Sequence, residues 1–177
     1  MSYKDLVQSA AQKDFLDSMS QQLAKDIGLL LGRRGQVQRT EAPCGEAPSA
    51  WMTAVFELTK NGQGAGRLNL FLSRKHSIRL AADMVRAPGG EAMAAGGDIT
   101  DMISDGLHEV ANVCGAALAR AFKEPLGAVG TCRMLAAKWG EEKDGSVGGA
   151  WSARVDILFA GLKEPFSFFL ALSDVGA

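Results

Sequence analysis

The stretch DITDMISDGLHEVANVCGAALARAF, at residues 98–122, is the element around which the chain is organised. Asp98 or Thr100 can cap its start, directly after the helix-breaking Gly96 and Gly97. Its apolar residues recur at steps of three and four, namely Ile103, Leu107, Val110, Cys114, Leu118 and Ala121. Since a helix turns by about 100° per residue, this spacing predicts a long amphipathic helix with one broad face on a core.

A row of polar residues lies on the opposite side of the predicted helix. Asp105, Glu109 and Asn112 follow one another at i, i+4 and i+7, and their directions agree within roughly 60°. Ala116 and Ala119, which lie beside the row, are too small to overhang it. We therefore expect the three polar side chains to face water.

Composition is ordinary for one soluble globular domain, and we expect residues 1–177 to form a single domain. A net charge of −1 gives no basic field for nucleic acid or an anionic membrane. No apolar run approaches the roughly 20 residues of a membrane span, and the N-terminus has no apolar signal-peptide core. The three cysteines are widely spaced, which favours reduced thiols in a cytoplasm. With only two histidines, a histidine-based metal site is not expected.

The rest of the chain reads as two copies of a helix followed by an antiparallel hairpin, with an extra helix between them. Predicted helices cover residues 12–32 and 73–86, and predicted strands cover 51–59, 66–72, 130–137, 151–159 and 166–172. Residues 35–50 indicate a loop or an irregular edge strand, and residues 138–149 a glycine-rich turn. The predicted fold class is α+β, with long helices on one face of an antiparallel sheet and the hairpins at a dimer edge.

A weak internal repeat supports this division into copies at about 12–86 and 98–173. Residues 54–73 and 154–173 align without gaps, at residue numbers that differ by 100. The two long helices also match, and the counterparts of Asp105, Glu109 and Asn112 are then Ser18, Gln22 and Lys25, listed in that order. A Glu and an Asn thus occur together in the second copy alone, which predicts one site per chain.

The chemistry of the row suggests a function without a cofactor in this chain. An amide can donate and accept at once, so Asn112 could orient a water for attack on a phosphoryl group. A carboxylate one turn away could hold a lysine of a partner. The alternative interpretation is a plain solvated helix face.

Two other candidate sites have structural explanations. Ser73 is explained as a helix cap rather than as a nucleophile that acts with His76 and Asp83. The glycines of residues 62–66 are explained as a hairpin turn rather than as a phosphate loop.

The helix resembles the pattern Asp/Ser, three residues, Glu, two residues, Asn that marks the CheC/CheX/FliY family of chemotaxis phosphatases, and the element order resembles that family over nearly the whole chain. A single Glu/Asn pair in the second copy is most like CheX. The resemblance implies that Asn112 positions the hydrolytic water in the active site of phosphorylated CheY. It also implies that Glu109 pairs with a CheY lysine and that Asp105, Glu109 and Ala116 contact the partner. The magnesium belongs to CheY, and CheX implies a homodimer.

Two positions depart from the family pattern. Leu135 stands where the family often has a proline, and His108 precedes Glu109 where a glycine is often found. Flagellar switch proteins share the fold without all being phosphatases. A non-catalytic module that binds a response regulator or a switch component is therefore the alternative function.

Overall fold

The chain folds into six helices and six strands in the computed structural model, which describes residues 2–44, 49–127, 130–144 and 151–174. The helices are α1 (Tyr3–Ala10), α2 (Lys13–Leu31), α3 (Arg74–Val85), α4 (Gly90–Ala94), α5 (Asp101–Ala121) and α6 (Lys123–Leu126). The strands are β1 (Gly35–Glu41), β2 (Ser49–Lys60), β3 (Gln63–Leu72), β4 (Thr131–Asp144), β5 (Trp151–Phe159) and β6 (Phe166–Ser173). None of the described helices is both long and apolar enough to cross a membrane.

The helix boundaries follow from local caps. The hydroxyl of Thr100 accepts a hydrogen bond from the amide of Ile103 and begins α5, as one of the two predicted caps. Ser73 caps α3 in the same way, and Gly32, with a φ of 62°, ends α2 in the left-handed conformation. The helix α1 was not predicted. It begins with a capping box, in which Ser2 and Asp5 satisfy each other's backbone amides.

All six strands form one antiparallel sheet in the order β1-β5-β6-β3-β2-β4. The two predicted hairpins, β2-β3 and β5-β6, meet at its centre, where Leu70 lies opposite Leu170. Leu70 and Leu170 are counterparts in the repeat, because their numbers differ by 100. A two-fold axis that relates the two copies therefore passes between these two residues. The hairpins therefore lie inside the sheet, and the prediction that they form its edge is wrong. Its edge strands are β1 and β4.

The gapless alignment holds for β3 and β6 but not for the strands that precede them. Ala54 lies opposite Leu70 in the first hairpin, whereas Ala153 lies opposite Leu170 in the second. The counterpart of Ala54 is thus Ala153 rather than Arg154. The two alanines are buried and Arg154 lies on the other face, because a one-residue shift moves a side chain across a sheet.

One hydrophobic core lies between the sheet and the helices, where α2 contacts β1, α3 contacts β2 and α5 contacts β4. The largest fully buried side chains include Phe56, Phe122, Phe159, Phe166 and Phe168. This arrangement confirms the predicted α+β class, with the long helices packed on an antiparallel sheet.

The strand β4 is longer than predicted. Residues 138–144 continue it to Asp144, where a turn was expected, and residues 145–149 of that predicted turn lie outside the described residues. Two irregularities break its pairing with β2. At one of them Met134 and Ala136 pair with successive residues of β2, which leaves Leu135 as the extra residue of a β-bulge. These bulges interrupt the alternation by which a strand is recognised in sequence.

Candidate functional site

The helix α5 is held on three sides, and this fixes which of its residues face outward. Towards α3, a Cβ on Gly106 would lie 2.7 Å from the carbonyl oxygen of Ala81. Towards the sheet, a Cβ on Gly115 would lie 2.7 Å from the ring of Phe56. Towards α2, the guanidinium of Arg120 donates to the carboxylate of Asp26 at 2.5 Å and 3.0 Å. Small residues thus let α5 pack closely, and the ion pair fastens its C-terminal end.

The fourth side of α5 carries the polar row. Asp105, Glu109, Asn112 and Ala116 are all exposed, and Ala119 is partly exposed. The predicted orientation of the row is confirmed, whereas the roles given to these residues remain predictions. A row on a helix held at three sides presents its groups from a rigid support, as a binding or catalytic constellation needs.

The polar groups of the row are uncommitted. Asp105, Glu109 and Asn112 make no side-chain hydrogen bond or ion pair with any residue in the part of the chain that the structure describes. The amide of Asn112 can therefore both donate and accept towards an incoming molecule. The carboxylates of Asp105 and Glu109, together with that of the exposed Asp101, make this surface acidic. An acidic surface suits a cationic group of a partner.

Aromatic side chains border the row on the side of β4. The exposed His108 packs edge-on against Trp139, with ring centroids 4.6 Å apart. The two side chains bound an open groove of roughly 810 Å³, to which Trp51, Ala137 and Gly140 also contribute. Sequence reasoning missed this groove because Trp139 lies in the segment that was predicted to be a turn.

The corresponding surface of α2 is different. Ser18 and Lys25 are exposed, but the amide of Gln22 donates to Asp26 at 2.8 Å. Asp26 is also the residue that binds Arg120 of α5. The amide of the first copy thus belongs to an internal network, and the free amide belongs to α5.

Other candidate sites have structural explanations. The hydroxyl of Ser73 accepts from the backbone amide of His76, as a helix cap does. The ring nitrogen Nδ1 of His76 accepts from the amide of Ser167, and burial lowers the pKa of this histidine. Neither contact forms a nucleophile–base pair. Of the glycines in residues 62–66, Gly62 lies in the β2–β3 turn, whereas Gly64 and Gly66 lie in β3. The described residues contain no cluster of three side chains able to hold a metal ion.

Comparison with known proteins gives structural likeness without sequence likeness. No family model matches the chain, and no curated protein matches it in sequence. Its structure is similar to the chemotaxis protein CheX of Desulfovibrio desulfuricans, with a TM-score of 0.58 and 13% identity over 90% of this chain and 99% of that chain. It is also similar to FliY of Thermotoga maritima, with a TM-score of 0.55 and 17% identity over 93% and 92% of the two chains. A chain of the FliG–FliM complex of H. pylori gives a TM-score of 0.56 and 12% identity over 93% and 95%.

The chain therefore has the fold of the CheC/CheX/FliY proteins over nearly its whole length. This confirms, at the level of the fold, the resemblance that the sequence of α5 indicated. At such low identity the likeness establishes the fold, and the function has to be argued from the row on α5.

Proposed function

We propose that the protein is a CheX-like phosphatase that hydrolyses the aspartyl phosphate of a CheY-type response regulator. Asn112 orients the attacking water, and Glu109 pairs with a lysine of the response regulator. The magnesium ion is supplied by the response regulator, and no cofactor is bound by this chain. A homodimer that forms through the edge strands β1 and β4 is part of the same proposal.

The chemistry asks little of this chain beyond position and charge. Phosphoryl transfer depends on an in-line nucleophile and on neutralisation of the phosphoryl oxygens, and the second task falls to the metal and lysine of the partner. An amide that accepts from the water and donates to the phosphoryl group holds the nucleophile in line. A carboxylate one turn earlier on the same rigid helix fixes the register by binding a lysine.

The observation that carries the proposal is the free, exposed amide of Asn112 beside the free carboxylate of Glu109. Asn is a poor residue for an exposed position in the middle of a helix, because its amide competes for backbone hydrogen bonds. Here no described residue uses that amide, and Ala116, one turn later, leaves room for another protein to approach.

The test is the rate of phosphate release from a phosphorylated response-regulator receiver domain with magnesium. The wild-type protein should accelerate release. Asn112→Ala should lose about 10²- to 10³-fold in kcat, the usual cost of removing one aligned polar group from a catalytic site. Glu109→Ala should mainly raise KM, because the interaction of Glu109 with the lysine binds ground state and transition state alike.

The matched control is Lys25→Ala, which changes the counterpart of Asn112 on α2 and should leave the rate unchanged. Circular dichroism and urea unfolding of each variant separate loss of activity from loss of fold. An Asn112→Ala protein as fast as the wild type would refute the mechanism.

A second candidate is a non-catalytic module that binds a response regulator or a flagellar-switch component through α5. The likeness to a chain of the FliG–FliM complex supports it, as does Leu135, which stands where the family often has a proline. In the same assay this module would bind the receiver domain and leave the rate of phosphate release unchanged.

A further inference from the structure

The groove between α5 and β4 is lined from α5 by His108, which is a neighbour of Asn112 on the helix surface. His108 lies one helical turn before Asn112, and the two side chains point in directions about 40° apart. Side chains at this spacing are neighbours, with Cβ atoms roughly 5–6 Å apart. Glu109 lies on the other side of Asn112, so the groove and the carboxylate flank the amide.

The walls of the groove suit an apolar side chain. The exposed ring of His108 packs edge-on against the partly exposed Trp139, and the buried Trp51 also lines the groove. Gly140 adopts a φ of 112° in the irregular part of β4, and as a glycine it has no side chain that could narrow the mouth of the groove. A partly exposed indole such as that of Trp139 is a type of side chain that is enriched in protein interfaces and often carries much of their binding energy.

The charges around the groove restrict what can occupy it. The exposed Asp101, Asp105 and Glu109 lie on the same side of α5, and the groove itself is lined by one cation, Lys138, and one anion, Glu141. Acidic groups outnumber the single lysine, so an anionic lipid surface would meet net repulsion. The groove is also open, and His108 joins its wall to the exposed face of α5 that carries the row. A side chain presented by the protein that docks on the row fits both properties.

We infer that this groove receives an apolar side chain of the response regulator, next to its phosphorylated aspartate, and that His108 and Trp139 set partner specificity. The inference rests on the proposed function. It adds a second anchor, on the opposite side of Asn112 from the Glu109–lysine pair. Two anchors flanking the amide fix both the position and the rotation of the partner on α5.

The experiment measures the binding of CheY-type receiver domains, with beryllofluoride on the phosphorylatable aspartate as the probe in place of the phosphoryl group. The receiver domain that wild type binds most tightly is then titrated with each variant. Trp139→Ala and His108→Ala should each weaken binding by about tenfold, the usual effect of truncating an aromatic anchor. His108→Ala should leave the fold intact because it puts the best helix former at an exposed helical site. Leu135→Ala, an exposed apolar truncation on the same strand outside the groove, should bind as wild type does.

The same variants separate docking from turnover when phosphate release is followed as well. Trp139→Ala and His108→Ala should raise KM and keep kcat, whereas Asn112→Ala should lose kcat and keep its affinity. Wild-type affinity in both groove variants would overturn the inference and leave the phosphatase intact. A loss of kcat at unchanged KM would also overturn it, because the rings would then act by positioning α5. Binding without any hydrolysis, weakened by the groove variants, would refute the phosphatase and support the groove. No binding of any activated receiver domain would overturn both.

Discussion

Gly106→Ala tests the close packing of α5 against α3, on which the placement of the row depends. The added Cβ would lie 2.7 Å from the carbonyl oxygen of Ala81 and 3.0 Å from its Cβ, whereas ordinary contact begins at 3.4 Å. The helices must therefore separate by about 0.7 Å, the difference between 3.4 Å and 2.7 Å, because a backbone oxygen cannot rotate away. Overpacking of this kind costs up to about 3 kcal/mol, and the higher helix propensity of alanine returns about 1 kcal/mol. Because the clash is with a backbone oxygen, the upper end of this range applies, and the net prediction is a destabilisation of about 2 kcal/mol.

Equilibrium unfolding in urea should show this change as a lower midpoint concentration at an unchanged m value. The melting temperature should fall by about 4–8 °C. Ala119→Gly is the matched control. It makes the opposite substitution, alanine to glycine, at a partly exposed position of the same helix. It should cost about 1 kcal/mol from propensity alone. A Gly106→Ala protein as stable as wild type, or more stable, would show that α5 and α3 do not approach as closely as the structure has them.

Two titratable groups give further predictions. Burial lowers the pKa of His76 below its ordinary value of 6.5, so the unfolded chain binds the proton more readily and stability should fall as the pH drops below about 6.5. Urea unfolding between pH 7 and 5 should show this loss of stability, and the loss should be smaller in His76→Gln. Burial also raises the pKa of the Cys114 thiol to about 12, so at pH 8 iodoacetamide should modify Cys44 well before Cys114. Mass spectrometry with and without urea checks the order, and equal rates in the folded protein would contradict the burial of Cys114.

The sequence predicted the helices and the row because their signals are local. The apolar period of α5 runs over more than five turns, and Thr100 and Ser73 supply caps whose partners lie three residues away. The exposure of Asp105, Glu109 and Asn112 then follows from the helix period alone. The α+β class was also predictable, since two hairpins with alternating apolar residues need helices to cover one face.

The features that escaped prediction depend on pairing between distant strands. The β-bulges of β4 displace its alternation, so that Trp139 reads as part of a turn although it lies in the strand. The one-residue shift between β2 and β5 likewise becomes visible only when each strand is placed against its hairpin partner. The aromatic groove combines both difficulties, because His108 and Trp139 are brought together by the packing of α5 on the edge strand.

The two long helices differ in which of their polar groups remain free. In α5 the amide of Asn112 is free, whereas in α2 the amide of Gln22, at the position equivalent to Glu109, binds Asp26. Asp26 in turn holds Arg120 at the end of α5. The surface of α2 that corresponds to the row thus contributes to the support of α5. An Asn introduced at Lys25 would therefore not by itself reproduce the free polar groups of the row, since the neighbouring Gln22 would still be bonded to Asp26. The asymmetry between the copies lies in which polar groups are used internally, and it leaves the row on α5 as the surface available to a partner.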